Sequence, residues 1–309
     1  MLTAQVLSAK YTSIAINKLT LLYNARMILK DLLKAAQQSI SVSLAMPVDE
    51  AAIDARLLLQ HVLGVDHAWL IAHINDELTD AQAESFQQIL ARRLKGEPVA
   101  YILGIREFYG LPLKTTHSTL IPRPDTETLV EAALGKLSSN QNLKVLDLGT
   151  GTGAIALAIA KNRPQAQVTA VDFSHEALSI AKENALNLDL ARVRFLQSDW
   201  FSSFQDEKFD VIVSNPPYIA ENDAHLTQGD LRFEPLTALA SGKDGLDDIR
   251  RIIQAASSHL NSYGWLMLEH GYDQAEKVAE LLTLHGFEQI SHTPDLSGTL
   301  RITLGRMPQ

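Results

Sequence analysis

The sequence predicts an α/β fold, a mostly parallel seven-stranded sheet with interleaved helices, preceded by a small helical module. Three observations carry this. From Lys144 onward, short apolar runs alternate with helical patterns, the rhythm of strand–helix units. The first unit has a glycine-rich turn, Gly149-Thr150-Gly151-Thr152-Gly153, between its strand and its helix. Before about Leu103, apolar residues recur instead at helical spacing.

The bulk properties bound the function. The chain has 309 residues, 46% hydrophobic and 20% charged, long enough for two globular domains. A net charge of −9 argues against broad binding to nucleic acid. There are no cysteines, which excludes disulfides and thiolate metal sites and fits a reducing compartment, with the cytoplasm the expected location. No apolar run approaches the length of a membrane span.

Residues 1–26 carry Lys10, Lys18 and Arg26 but no acid. They read as an N-terminal extension: a frayed segment, an early start upstream of Met27, or a basic targeting peptide. Residues 27–103 form the helical module. Met27-Ile28-Leu29, Leu32-Leu33 and Ala36 open a first helix, and Pro47, Asp49 and Glu50 start a second that runs to Gly64, with acids where a helix N-terminus favours them. Thr79-Asp80 caps a third, ended by Gly96 and Pro98. Residues 104–124 read as a linker or hairpin through Phe108-Tyr109-Gly110-Leu111-Pro112-Leu113. Arg123 then sits between two prolines, and an acidic helix start follows at Asp125-Thr126-Glu127.

Residues 125–309 form the main domain. Its strands are expected at 144–148, 168–171, 193–196, 211–214, 265–268, 287–292 and 300–304. Helices are expected at 154–161, 177–186, 249–260 and 274–285. In such sheets ligands sit beyond the carboxyl ends of the strands. The fourth strand ends in Ser214-Asn215-Pro216-Pro217-Tyr218. Two prolines fix φ, remove two backbone donors and hold Asn215 extended. The Asn215 side-chain carbonyl and the carbonyls of Pro216 and Pro217 are acceptors. Together they could grip both hydrogens of a planar NH2 group, with the Tyr218 ring on its face. An amide nitrogen is a poor nucleophile because its lone pair is delocalised, and acceptors out of its plane favour a localised pair. A proline-rich turn with an asparagine cap is the plain alternative.

The other strand ends are also polar. Gly149, Gly151 and Gly153 let the backbone approach a ligand at a helix N-terminus. Asp172 ends the second strand, where an acid grips ribose hydroxyls. Gly149, Gly151 and Ala154 also satisfy the dinucleotide fingerprint, so a nicotinamide dinucleotide is one reading. Asp147, Asp199-Trp200 and Asn215 favour another. Asp147 could hold an ammonium group, and Asp199-Trp200 could meet an adenine. S-adenosylmethionine has an amino-acid tail, a ribose and an adenine in that order.

Together, Leu120-Ile-Pro-Arg-Pro-Asp-Thr-Glu127, Asp147-Leu-Gly-Thr-Gly-Thr-Gly153, Asp199-Trp-Phe201, Ser214-Asn-Pro-Pro-Tyr218 and Phe233-Glu-Pro-Leu-Thr-Ala-Leu239 resemble the release-factor glutamine methyltransferase family (PrmC/HemK) from about Met27 to Arg306. The resemblance implies a Rossmann-like class I S-adenosylmethionine-dependent methyltransferase fold. It implies N5-methylation of the glutamine in the Gly-Gly-Gln motif of peptide-chain release factors. Gly149, Thr150, Gly151, Thr152, Gly153 and Asp172 would bind the cofactor, with Trp200 lining the adenine. Asn215 would sit beside the methyl donor and, with Pro216, Pro217 and Tyr218, hold the glutamine. The helical domain would recognise the release factor, and no metal is implied. Glu234 and Glu269-His270 are site-edge candidates. Rival readings are an adenine-N6 nucleic-acid methyltransferase, a ribosomal-protein glutamine methyltransferase and a non-catalytic binding module. No nucleic-acid substrate and no membrane are expected.

Overall fold

The computed structural model describes residues 28–138 and 141–309. The expectations for residues 1–26 and for a helix opening at Met27 lie outside these. The chain divides between Leu103 and Gly104 into two compact units.

The first unit is helical: α1 (Leu29–Leu44), α2 (Val48–Leu63), α3 (His67–Ala72), α4 (Asp80–Leu94) and α5 (Val99–Leu103). Leu32, Ala36, Ile40, Ala55, Leu58, Phe86 and Leu90 form its core. Gly64, at φ 65°, ends α2, and the expected cap of α4 is a capping box between Thr79 and Gln82. Buried Arg93 ties α4 to α2 through Asp54 at 2.7 Å. The short helices α3 and α5 were not legible as separate elements, because neither is long enough to show a period.

The second unit opens with a hairpin, β1 (Ile105–Phe108) and β2 (Leu111–Lys114). Its two-residue turn, Tyr109-Gly110, has positive φ at both positions, the conformation that matches strand twist in tight hairpins. A 3-10 turn at Pro124–Thr126 leads into α6 (Glu127–Lys136). The main sheet is built from β3 (Lys144–Leu148), β4 (Gln167–Asp172), β5 (Arg194–Gln197), β6 (Phe209–Ser214), β7 (Leu260–Glu269), β8 (Glu288–Pro294) and β9 (Leu300–Arg306). Helices α7 (Ala154–Asn162), α8 (His175–Asn187), α9 (Asp247–His259) and α10 (Ala275–Leu284) connect them. The strand order is β5-β4-β3-β6-β7-β9-β8. The first five strands pair in parallel, and β9 pairs antiparallel with both β7 and β8.

Alternation along the strands makes two cores. Val145, Val211 and Val213 pack under α6 and α7, whereas Leu146, Leu148 and Ile212 pack under α9 and α10, as the period of two requires. Strand β7 begins at Leu260, five residues before its sequence-predicted start, because Asn261, Ser262 and Tyr263 lack the apolar signal. The chain runs β3 to β5 outward on one side, then returns to place β6 against the other edge of β3. That reversal is the topological switch point, where open α/β sheets bind ligands.

Candidate active site

At the switch point Leu148 of β3 faces Ser214 of β6, and the buried Ser214 hydroxyl donates to the Leu148 carbonyl at 2.7 Å. The glycine turn and Asn215 therefore leave the sheet side by side. Beyond them lies a cavity of about 550 Å³, within the range of roughly 300–1,000 Å³ typical of small-molecule sites. Of the sequence-predicted residues, Gly149, Gly151, Asp172, Trp200, Asn215 and Pro217 line it, together with Asp199. Thr150, Thr152, Gly153, Pro216 and Tyr218 do not.

The glycine turn is shaped from behind. Strand alternation puts Asp147 on the α7 side, where its carboxylate accepts from the Thr150 hydroxyl at 2.6 Å and the Ala156 amide at 3.2 Å. Asp147 is wholly buried, and burial pushes its carboxyl up to about 7. This corrects the expectation that it holds a ligand's ammonium group: it faces the helix, not the cavity. Thr150 is occupied in the same contact. Thr152 is buried, and Gly153, at φ 84°, is the N-cap of α7. At Gly149, φ is +72°, and an added Cβ would stand 3.4 Å from the Trp200 ring. That is ordinary contact, so it is the positive φ that calls for glycine here.

Asp172 is the polar centre of the cofactor-sized end. One carboxylate oxygen accepts from the Gly151 amide at 2.8 Å, and the other from the Ser174 amide at 2.9 Å. Each keeps acceptor capacity for hydroxyls. Burial raises its pKa, opposed by these amides. The Trp200 indole donates to Asp248 at 3.1 Å, which holds the ring. Asp199, expected to meet an adenine, is already paired with Arg251 through two contacts of 2.9 Å. Phe173 lines the cavity while 72% exposed. Its place directly after Asp172 at a strand end was the available signal.

The substrate end is set by Asn215. Its Nδ2 donates to the buried Thr126 hydroxyl at 3.0 Å. Among the described residues no donor bonds its Oδ1, nor the carbonyls of Pro216 and Pro217. Tyr218 is turned away: its hydroxyl donates to Glu269 at 3.3 Å, and its ring packs against the α9–α10 core. Its backbone carbonyl accepts from Gln274 at 3.0 Å. Gly245, at φ +76°, passes so close that an added Cβ would fall 2.2 Å from that carbonyl. Gly245→Ala is expected to cost on the order of 3 kcal/mol from strained φ and overpacking together. Urea melts would read this, and an unchanged midpoint would show that the segment yields.

The two motifs flanking the site are joined. Buried Glu234 accepts from the Ile121 amide at 2.9 Å and pairs with Arg123. Burial raises its pKa, opposed chiefly by Arg123. Beside this pair, Ser118–Leu120 and Pro235, Thr237 and Ala238 form cavity walls. Glu269 is fully buried, and burial pushes it up to about 7 against the Thr126 and Tyr218 hydroxyls. His270 is structural: wholly buried, it bonds the Gly271 carbonyl at 2.9 Å and the Thr303 hydroxyl at 2.7 Å.

Comparison with known proteins places this geometry. Residues 31–104 match the family model for the PrmC N-terminal domain, and residues 125–231 match the methyltransferase small domain. The release factor glutamine methyltransferase of Xylella fastidiosa is 51% identical over 256 residues, covering 83% of this chain and 93% of that protein. Its Escherichia coli K12 counterpart is 48% identical over 256 residues, covering 83% and 92%. A methyltransferase from Pyrococcus furiosus, 19% identical, superposes with a TM-score of 0.51 over 72% of this chain and all of that one, a likeness of fold. With about half of the aligned residues identical to the Xylella fastidiosa and Escherichia coli enzymes over most of each length, the chain belongs to the release factor glutamine methyltransferase family.

Proposed function

We propose that this protein methylates the side-chain amide nitrogen, N5, of the glutamine in the Gly-Gly-Gln motif of peptide-chain release factors, with S-adenosylmethionine as methyl donor. The observation that carries the reading is Asn215 at the switch point. Its Nδ2 is anchored on Thr126, and among the described residues its Oδ1 has no protein donor, beside a cavity lined by Gly149, Gly151 and Asp172. Membership of this family removes the nicotinamide reading of the glycine turn. The proposed substrate and the absence of cysteines support a cytoplasmic location.

The cavity residues fit the cofactor by chemistry. The backbones of Gly149 and Gly151 allow close approach, Asp172 offers acceptors for ribose hydroxyls, and Trp200 and Phe173 offer apolar faces for a base. When bound, S-adenosylmethionine supplies an electrophilic methyl on a positively charged sulfur. Asn215 Oδ1 and a carbonyl of the Pro216-Pro217 turn take the two hydrogens of the glutamine NH2 and orient its nitrogen. Their contribution is proximity and orientation. The nitrogen loses its extra proton after the methyl is attached, so no strong base is needed beforehand. Tyr218 serves this grip through its fixed backbone and its contact with Glu269.

The test is mass spectrometry of a release factor after incubation with isotope-labelled S-adenosylmethionine. One label on the amide nitrogen of the Gly-Gly-Gln glutamine is expected. Label on nucleic acid, or on a ribosomal-protein glutamine in its place, would overturn the assignment. We further propose that the helical unit, which carries no cavity motif of its own, supplies recognition. Asn215 meets only a primary amide, so selectivity needs contacts elsewhere. The intact factor should exceed a short Gly-Gly-Gln peptide in kcat/KM by at least about tenfold, the equivalent of roughly 1.4 kcal/mol of remote contact. Equal values would assign recognition to the cavity alone.

A further inference from the structure

The indole of Trp200 walls the cavity from an uncommon backbone. Its φ is +48°, in the left-handed region that bulky residues rarely adopt, so the surroundings must hold it there. Ser198 holds the main chain: its hydroxyl donates to the Trp200 carbonyl at 2.7 Å and accepts from the Ser203 amide at 3.0 Å. The ring is held at two edges. Its six-membered edge lies beside Gly149, where an added Cβ would meet Cζ3 at 3.4 Å, a contact with no direction of its own. Its other edge carries Nε1–H, a donor only, which reaches Asp248 Oδ1 at 3.1 Å. Asp248 is fixed in turn. The Ser241 hydroxyl donates to its Oδ2 at 2.8 Å, and its own amide donates to that hydroxyl at 2.8 Å. One turn along α9, Arg251 pairs with Asp199 and stands 3.5 Å from Asp248. Both Arg251 and Asp199 are about half exposed, and ion pairs so exposed contribute little. The bond from the indole to Asp248, whose side chain is 20% exposed, is what sets the ring's direction.

We propose, resting on the cofactor reading above, that Asp248 is a positioning residue that sets affinity for S-adenosylmethionine by locking the Trp200 ring before the cofactor arrives. An aromatic face is useful to a base only at the right distance and tilt. A ring free to turn must be ordered at the moment of binding, and that cost is taken from affinity. Asp248 removes it in advance. Asp248 also lines the cavity, so a direct contact with the cofactor is the competing role. The two differ in one respect: a direct contact would survive without the indole, whereas positioning would not.

The experiment measures calorimetric affinity for S-adenosylmethionine, and hydrogen exchange at the Trp200 indole by heteronuclear NMR. The proteins are the full chain, Asp248→Ala, Asp248→Asn, Trp200→Phe and the double variant Asp248→Ala/Trp200→Phe. The chain has three tryptophans, and the indole signal missing from Trp200→Phe is that of Trp200. Asp248→Ala should bind the cofactor about tenfold more weakly, the equivalent of roughly 1.4 kcal/mol and within the cost of ordering one side chain. Its Trp200 indole proton should exchange faster in the absence of cofactor. Asp248→Asn keeps Oδ1 for the indole, and its Nδ2 can donate to the Ser241 oxygen, so it should recover most of both. The double variant should bind no more weakly than Trp200→Phe, because Asp248 acts through the ring. Wild-type affinity in Asp248→Ala, or an asparagine variant as weak as the alanine one, would overturn the proposal. So would a double variant weaker than Trp200→Phe, which would put Asp248 on the cofactor itself. Should Asp248→Ala fail to fold, Asp248→Ser takes its place. Serine keeps a polar group in the first turn of α9 but sets it a bond further from the indole, and wild-type affinity there would overturn the proposal equally. The unmutated chain separates the two readings: no affinity for S-adenosylmethionine defeats the cofactor reading, and unaffected variants defeat only the positioning role.

Discussion

Asn215→Ala is expected to lower kcat for release-factor methylation by at least about a hundredfold, the scale of losing orientation at a reacting atom. Cofactor affinity should change little. Among the described residues Asn215 makes one side-chain bond to the protein, from Nδ2 to Thr126 at 3.0 Å. Asp172 and the glycine turn, which face the other end of the cavity, do not depend on it. The segment itself should hold, since Pro216 and Pro217 fix the backbone and Gln274 fixes the Tyr218 carbonyl. Single-turnover rates and calorimetry would separate the effects. A variant with full turnover would remove Asn215 from the reaction. One with lost cofactor affinity would move it to the cofactor end.

Asn215→Asp is the sharper companion. Aspartate keeps the acceptor but replaces the Nδ2 donor with a second acceptor facing Thr126. Slow turnover in this variant would mean that the anchoring contact matters as well as the acceptor.

The sheet was legible because its information is local. Most strands centre on a short apolar run, and each polar residue that ends one is fixed by the next turn. Gly149, Asp172, Trp200 and Asn215 could be placed on one edge with no knowledge of packing. Even the correction at Asp147 was within reach, since a period of two puts it on the face of Val145 rather than at the rim. The supporting contacts were not legible. Thr126 meets Asn215 across 89 residues, and Arg123 meets Glu234 across 111. No sequence spacing encodes such pairs. Arg251, which pairs with Asp199, sits in an ordinary amphipathic helix. Tyr218 shows the reverse error of inference. An aromatic ring beside a polar turn suggests stacking on a ligand, yet a buried carboxylate behind the turn claims its hydroxyl.

Asp172→Ala is expected to weaken S-adenosylmethionine binding more than the loss of ribose contacts alone would. Hydrogen bonds to a charged group are worth about 1.5–3 kcal/mol, which is roughly ten- to a hundredfold in affinity. Asp172 also holds the site's own backbone, through the Gly151 amide at 2.8 Å and the Ser174 amide at 2.9 Å. Alanine leaves both donors without that acceptor, and the glycine turn keeps only the ties of its Gly149 and Thr150 amides to the Val171 carbonyl at 2.9 Å. Asp172→Asn divides the two roles. It keeps one carbonyl oxygen, enough for Gly151 or Ser174 but not both, and it puts a donor where the other stood. The asparagine variant should therefore bind better than the alanine variant and worse than wild type. Calorimetry supplies the ranking, and hydrogen exchange at Gly151 reports the turn. Equal affinity in all three proteins would take the ribose away from Asp172. Equal loss in both variants, with an unperturbed Gly151 amide, would leave ribose binding as its whole contribution.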